Sequence, residues 1–291
     1  MTITASMVKD LRNRTAAGMM ECKKALADVN GDMEAAVEVL RKKGAASADK
    51  KASRVAAEGI VVATFDDGKH TGALLEVNCE TDFVAKDESF RWFAEQVVHH
   101  VLDTKPNDID ALMSSTFDTS TLEGARRELI AKIGENISVR RFFVYEGERI
   151  DGYVHGSRIG VLVELTGGSP GLGKDIAMHV AASKPLCVAE QDVPATLLEK
   201  EREIFRAQAE ESGKPAAIID KIVAGRVSKY LSENTLLGQP FVKNPDQTVG
   251  ELLDSESASV KRFLRFEVGE GLEKRSEDFV AEVLAQAKGG R

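Results

Sequence analysis

The chain has 291 residues, 43% hydrophobic and 30% charged, with a formal net charge of −8. This balance fits a water-soluble globular protein with room for at least two modules, and it excludes a disordered chain. The acidic excess also argues against broad or direct nucleic-acid binding, which rests on cationic side chains displacing counterions, and no apolar run approaches the ~20 residues that a membrane-spanning helix needs.

The first six residues carry no positive region followed by an apolar stretch. Export is therefore not expected, and the cytoplasm is the expected compartment. Apolar residues then recur at helical spacing in three short stretches: Met7, Val8 and Leu11; Met19, Met20, Cys22 and Leu26; Met33, Ala36, Val37 and Leu40. Gly18 and Asn30-Gly31-Asp32 separate them, and Asp32 stands where a carboxylate would cap the third helix. A miniature helical bundle is predicted. Residues 41–54 are small and basic and nearly free of bulky apolar side chains, as in a solvated linker or linker helix. The first domain boundary is placed there.

Residues 60–65 and 73–77 are strand-like and flank the turn-rich Asp66-Asp67-Gly68-Lys69-His70, which predicts a β-hairpin. A helix is expected after Lys86, turning Phe90, Phe93, Val97 and Val101 inward. Further strands are predicted over residues 137–145, 159–165 and 262–268, the last with half-buried alternation. Helices and strands mix without regular βαβ order, so the expected class is α+β, with antiparallel sheets.

An internal repeat organises this region. Gly72-Ala73-Leu74-Leu75-Glu76-Val77 resembles Gly160-Val161-Leu162-Val163-Glu164-Leu165, and Phe93-Ala94 and Val97 correspond to Ile176-Ala177 and Val180. The strand copies lie 88 residues apart and the helix copies 83, so the first copy carries five extra residues around Cys79 to Lys86. A protruding loop is expected there, and loops on rigid scaffolds concentrate binding residues. A duplication without functional asymmetry is the alternative.

Between Val193 and Tyr230 two helices are predicted, one with Leu197, Leu198, Ile204 and Phe205, the other with Ile218, Ile219, Ile222, Val223 and Val227. Gly213-Lys214-Pro215 divides them into an antiparallel hairpin. Its outer apolar face serves either an interface or packing within the hairpin. A last helix is expected over residues 278–288.

Gly168-Ser169-Pro170-Gly171-Leu172-Gly173-Lys174-Asp175 has the spacing of a phosphate-binding loop but ends in Asp in place of Ser or Thr. Asp175 is expected to cap a helix, and Pro170 removes one amide from the cradle. The cysteines Cys22, Cys79 and Cys187 form no C-x-x-C, and the five histidines form no H-E-x-x-H. No catalytic, metal or cofactor site is expected. His155, beside Gly156, is a contact candidate or simply structural. Thr81-Asp82-Phe83-Val84 sets an acid beside a large apolar side chain. Phe83 is either a wedge for a partner or a ring turned into its own core.

Asn78-Cys79-Glu80-Thr81-Asp82-Phe83-Val84-Ala85-Lys86 resembles the signature of the elongation factor Ts family, guanine-nucleotide exchange factors for elongation factor Tu. Residues 11–26, His179-Val180-Ala181-Ala182-Ser183-Lys184-Pro185 and Gly238-Gln239-Pro240-Phe241-Val242 are similar to further family segments in the same order. Ala16 replaces a commonly found glycine, and the tail matches less clearly. The resemblance implies a ubiquitin-associated-like helical domain with its linker (1–54), a duplicated core (55–148, then 149–187 with 237–271), an inserted coiled-coil hairpin (188–236) and a C-terminal helical module (272–291).

It also implies that Arg12, Met19, Met20 and Lys23 hold the nucleotide-binding domain of elongation factor Tu. Asp82 and Phe83 would then press on the region beside its magnesium and phosphates, with Thr81, Val84, His155 and Val242 as further partner contacts. The implied activity is GDP release and GTP rebinding without a covalent step, so no enzyme is expected. The hairpin is a candidate surface for a homodimer or a dimer of heterodimers. A phosphate-loop NTPase and an RNA-binding translation protein are the alternatives.

Overall fold

The computed structural model describes residues 3–15, 17–211 and 213–272. Ala16 and the helix expected over 278–288 lie outside the described residues, as does the expected C-terminal module apart from Leu272.

Three helices open the chain: α1 (Ala5–Thr15), α2 (Met19–Asp28) and α3 (Met33–Lys51). They close on Val8, Leu11, Cys22, Ala25, Leu26, Ala36 and Leu40. Asn30 and Gly31 both take positive φ at the sharp turn, and the Asp32 carboxylate then accepts the Ala35 amide at 3.0 Å to start α3. Met19 and Met20 do not join the core; they stand 61% and 75% exposed at the start of α2.

The first half of the core runs β1 (Glu58–Phe65), β2 (Thr71–Cys79), the single turn α4 (Asp82–Ala85) and α5 (Glu88–Thr104). It continues through α6 (Ile109–Ser114), the short pair β3 (Thr116–Phe117) and β4 (Ser120–Thr121), α7 (Leu122–Ile133) and β5 (Ile137–Glu146). The second half runs β6 (Ile150–His155), β7 (Ile159–Thr166) and α8 (Leu172–Ser183). After the hairpin of α9 (Ala195–Glu210) and α10 (Ala216–Asn234) come β8 (Pro240–Phe241), β9 (Asn244–Thr248), α11 (Val249–Ser255) and β10 (Ser259–Glu267). The fold is α+β.

The repeat is a repeat of topology. Each half builds a three-stranded antiparallel sheet with the second strand of its hairpin in the centre, in the orders β1-β2-β5 and β10-β7-β6. Strand alternation sends Ile60, Val62, Ala73, Leu75 and Val77 under α5, and Val161, Val163 and Leu165 under α8. The opposite faces of the two sheets meet on Val61, Leu74, Tyr145, Ile150, Leu162 and Phe266. The layers are therefore helix, sheet, sheet, helix.

The basic segment after residue 40 is helical through Lys51, continuous with α3. It lies along α7: Gly44 is close to Ala131, Asp49 pairs with Arg127 at 3.2 Å, and Ala48 is buried with the first-half core. The helical hairpin has its own small core of Ala209, Ile219, Val223 and Val227, with Leu198 and Phe205 against it; Ile204 and Ile218 face outward.

One reading of the phosphate-loop-like segment changes, while its geometry weighs further against a phosphate cradle. Asp175 is not a helix cap: α8 begins at Leu172, three residues earlier, and Asp175 sits in its first turn paired with Lys243. The carbonyls of Gly167, Gly168, Ser169 and Pro170 all accept from the Arg149 guanidinium. The Ser169 amide is taken by the Glu256 carboxylate at 2.8 Å. The segment therefore wraps a cation of its own chain with acceptors, the reverse of an amide cradle for phosphate.

Candidate partner-binding site

The extra stretch of the first half holds α4, a four-residue helical turn in place of an irregular loop. Thr81 caps it, its hydroxyl accepting the Val84 amide at 3.4 Å. The turn is amphipathic over four residues. Ala85 is buried and Val84 packs on the first-half core, while Asp82 is exposed and Phe83 stands 79% exposed. Of the two readings left open for Phe83, the ring turned into its own core is excluded.

The acid beside the ring is held ionised. A hydrogen bond from Lys86, at 2.7 Å, is the main cause that keeps the Asp82 carboxyl below its ordinary value, and the Arg158 charge adds to it. The same ammonium lies 6.0 Å from the Phe83 ring centre. Beneath the turn, Cys79 donates to the Thr81 carbonyl at 3.1 Å. Burial, then the negative charges of Glu135 and Glu58, push its thiol up to about 12, so it stays protonated and unreactive.

The base of the turn is braced from far along the chain. Glu135, in the connection from α7 to β5, accepts the amides of Glu80 and Thr81 at 3.1 and 3.0 Å and the Thr81 hydroxyl at 2.7 Å. In return the Glu80 carboxylate accepts the Asn136 amide at 2.6 Å, and the Asn136 side chain donates to the Arg54 carbonyl at 2.8 Å. Sequence reasoning missed Glu135 and Asn136. Gly134-Glu135-Asn136 reads only as a turn before a strand, and nothing local names a partner 54 residues away.

His155 ends β6 at the turn into β7, where Gly156 and Ser157 both take positive φ and the Arg158 amide closes back on the His155 carbonyl at 3.0 Å. The glycine serves this turn geometry. Arg91 of α5 donates to the Ser157 hydroxyl at 3.1 Å, which brings the turn to the edge that carries Phe83. His155 is exposed, its Nδ1 2.9 Å from the Tyr153 hydroxyl.

The remaining candidates stand on other parts of the molecule. Arg12, Met19, Met20 and Lys23 are all exposed on α1 and α2. Val242, 43% exposed, follows β8 and belongs to the α8 side of the second half. Its amide donates to Nδ1 of the buried His179 at 3.2 Å, and Nε2 of that ring lies 2.9 Å from the Gln239 side-chain oxygen. With Nδ1 accepting, Nε2 carries the proton and donates to Gln239. Burial lowers the His179 value against the partial opposition of that bond, so the ring is neutral. Neither His179 nor Gln239 stood out as a positioning residue in the sequence.

The family model described as Elongation factor TS matches residues 80–270. The chain belongs to the elongation factor Ts family. An Elongation factor Ts of Thioalkalivibrio sulfidiphilus is 62% identical over 292 residues, covering 99% of this chain and 100% of the relative. Those of Alkalilimnicola ehrlichii and Legionella pneumophila are 57% and 54% identical, with 99% of this chain covered in each case and 100% and 99% of the relative. The chain is thus a translation elongation factor of the elongation factor Ts family. No helix among the described residues is long and apolar enough to cross a membrane.

Proposed function

We propose that this chain binds elongation factor Tu in its GDP form and promotes GDP release and GTP rebinding. Asp82 and Phe83 press on the magnesium and phosphate site, and Arg12, Met19, Met20 and Lys23 hold the nucleotide-binding domain. His155 and Val242 add contacts from the second half, and the complex works in the cytoplasm. Bonds are neither made nor broken; the factor acts by preferring the empty form of its partner.

The observation that carries this reading is the exposed Phe83 ring on a braced, capped turn beside an ionised acid. A large apolar side chain left in water has a favourable term of about 1.5–3 kcal/mol waiting for a pocket. Linkage sets the rest of the cycle: a binder that weakens nucleotide affinity is weakened by nucleotide to the same factor, so GTP displaces it. A thousandfold acceleration needs about 4 kcal/mol of differential stabilisation, more than one ring supplies, which gives the α1–α2 surface and the second half their share.

The test is stopped-flow release of fluorescent GDP from elongation factor Tu with and without the chain. Acceleration that requires the partner supports the reading. Hydrolysis of nucleotide by the chain alone, or release unchanged by the chain, would remove it.

A further inference from the structure

From the bracing of α4 we infer that Glu135 is a positioning residue for the Phe83 projection, acting through Thr81 and not by contact with the partner. A helix of one turn has almost no stability of its own, because nucleation fixes several residues for a single hydrogen bond. Here the Phe83 ring also gains nothing from packing, since it is 79% exposed. With Val84 and Ala85 seating only the far side of the turn on the core, the orientation of Asp82 and Phe83 depends on how the backbone enters it. That entry is set by Glu135: one carboxylate oxygen accepts both the Glu80 and Thr81 amides, and the other accepts the Thr81 hydroxyl. The same hydroxyl receives the Val84 amide, so the carboxylate also orients the cap.

Charge-assisted bonds of this kind are roughly twice as strong as neutral ones. The bracket is also reciprocal, because Glu80 binds the amide next to Glu135 and Asn136 ties both to the end of the segment that follows α3. The turn is thus referred to the α7–β5 connection as a rigid base. Removing Glu135 leaves Asp82 and Phe83 present on a turn whose entry is loosened, which lowers the rate of nucleotide release while leaving the α1–α2 contacts intact. This consequence rests on the exchange-factor reading; the bracing itself does not.

Two measurements separate them. In the free full-length chain, amide hydrogen exchange at Val84 to Lys86 is expected to quicken at least tenfold in Glu135→Ala, with exchange in β1 and β2 unchanged. With elongation factor Tu, Glu135→Ala is expected to slow maximal GDP release about tenfold while changing affinity less than about threefold. In a Phe83→Ala background the further substitution should change release by less than twofold, because its effect passes through the missing ring. Glu135→Gln, which keeps an acceptor for the two amides, should recover an intermediate rate, and Thr81→Val should slow release with the same dependence on Phe83.

Unchanged exchange at Val84 to Lys86 in both Glu135→Ala and Thr81→Val overturns the positioning role. So does a slowing of release that persists undiminished without Phe83. A wild-type chain that leaves GDP release unaltered overturns the functional reading instead, and the hydrogen-exchange result then decides the brace alone.

Discussion

Glu76 and Glu164 occupy equivalent places in the two halves of the core and are held in the same way. Each is buried on the central strand of its sheet and gripped by two consecutive basic residues of the neighbouring strand: Arg140 and Arg141 for Glu76, Lys261 and Arg262 for Glu164. Consecutive strand residues normally point to opposite faces. The ladders shift register between Glu76 and Val77 in one sheet and between Val260 and Arg262 in the other, and that bulge turns both cations to one carboxylate. The guanidiniums then cross the junction, Arg141 over the Phe266 ring and Arg262 over the Tyr145 ring, each 4.2 Å from the centroid.

Glu76→Ala should cost about 3 kcal/mol in denaturant unfolding, because it strands two half-buried guanidiniums and the Gly269 amide. Glu164→Ala should cost less, since Lys261 is 69% exposed and returns to water. Burial alone would raise both carboxyls. The Gly269, Asn78, Arg141 and Arg140 bonds at Glu76, and the Lys261 and Arg262 bonds at Glu164, outweigh it and hold them below the ordinary value. A depressed carboxyl contributes stability above its unfolded pKa of about 4.3 and loses it as pH falls through the folded value. Unfolding measured from pH 6 to pH 3 should therefore show acid destabilisation that Glu76→Gln flattens.

Phe83→Ala should leave the melting transition within about 0.5 kcal/mol of wild type, since an exposed ring holds nothing in place. GDP release should slow roughly 10- to 100-fold, the equivalent of burying one phenylalanine. Met20→Ala and Arg12→Ala should instead weaken binding to elongation factor Tu more than they slow maximal release. Separate titrations of rate against factor concentration resolve the two effects, and an unchanged maximal rate for Phe83→Ala would count against the wedge.

Gly160→Ala should destabilise by about 1–3 kcal/mol, because an added Cβ would stand 2.4 Å from Val61 Cγ1 and 2.6 Å from Leu74 Cδ1, both fully buried where the sheets meet. Gly171→Ala is the matched control. At that helix cap an added Cβ meets no atom within 4 Å, and stability should change by less than about 0.5 kcal/mol. Equal losses in the two variants would contradict the close approach of the sheets.

His179 should titrate below the ordinary histidine range when followed by NMR, since burial disfavours its charged form more than Gln239 supports it. Its folded value lies below the unfolded value of about 6.5, so its contribution to stability is complete above that pH and is lost as pH falls toward the folded value. Protonation takes the Nδ1 acceptor from the Val242 amide. Affinity for elongation factor Tu should therefore fall on acidification, and less so in Val242→Ala, which has already lost the side chain that this bond positions.

Periodicity and punctuation in the sequence were enough for the opening helices, the first hairpin, α5, the central strands of both halves and the helical hairpin. The repeat of Gly72 to Val77 in Gly160 to Leu165 revealed the duplication, and the Asn78 to Lys86 signature pointed to the family. These are local signals, carried by residues adjacent in the chain or one turn apart. Strand β6, helices α6 and α11 and the short strand pairs escaped because their segments are brief or weakly alternating, and α7 because it buries only Leu122, Leu129 and Ile130, a sparse apolar stripe. Only the tertiary structure decided that Asp82 and Phe83 face water while Val84 and Ala85 face the core, and that Glu135 holds their entry. It also turned the glycine-rich segment after β7 into a sleeve for Arg149 and set matched bulges beside Glu76 and Glu164. A side chain's own face of an element follows from its neighbours in sequence, but its partner across the fold follows from packing between distant segments, which no local pattern encodes.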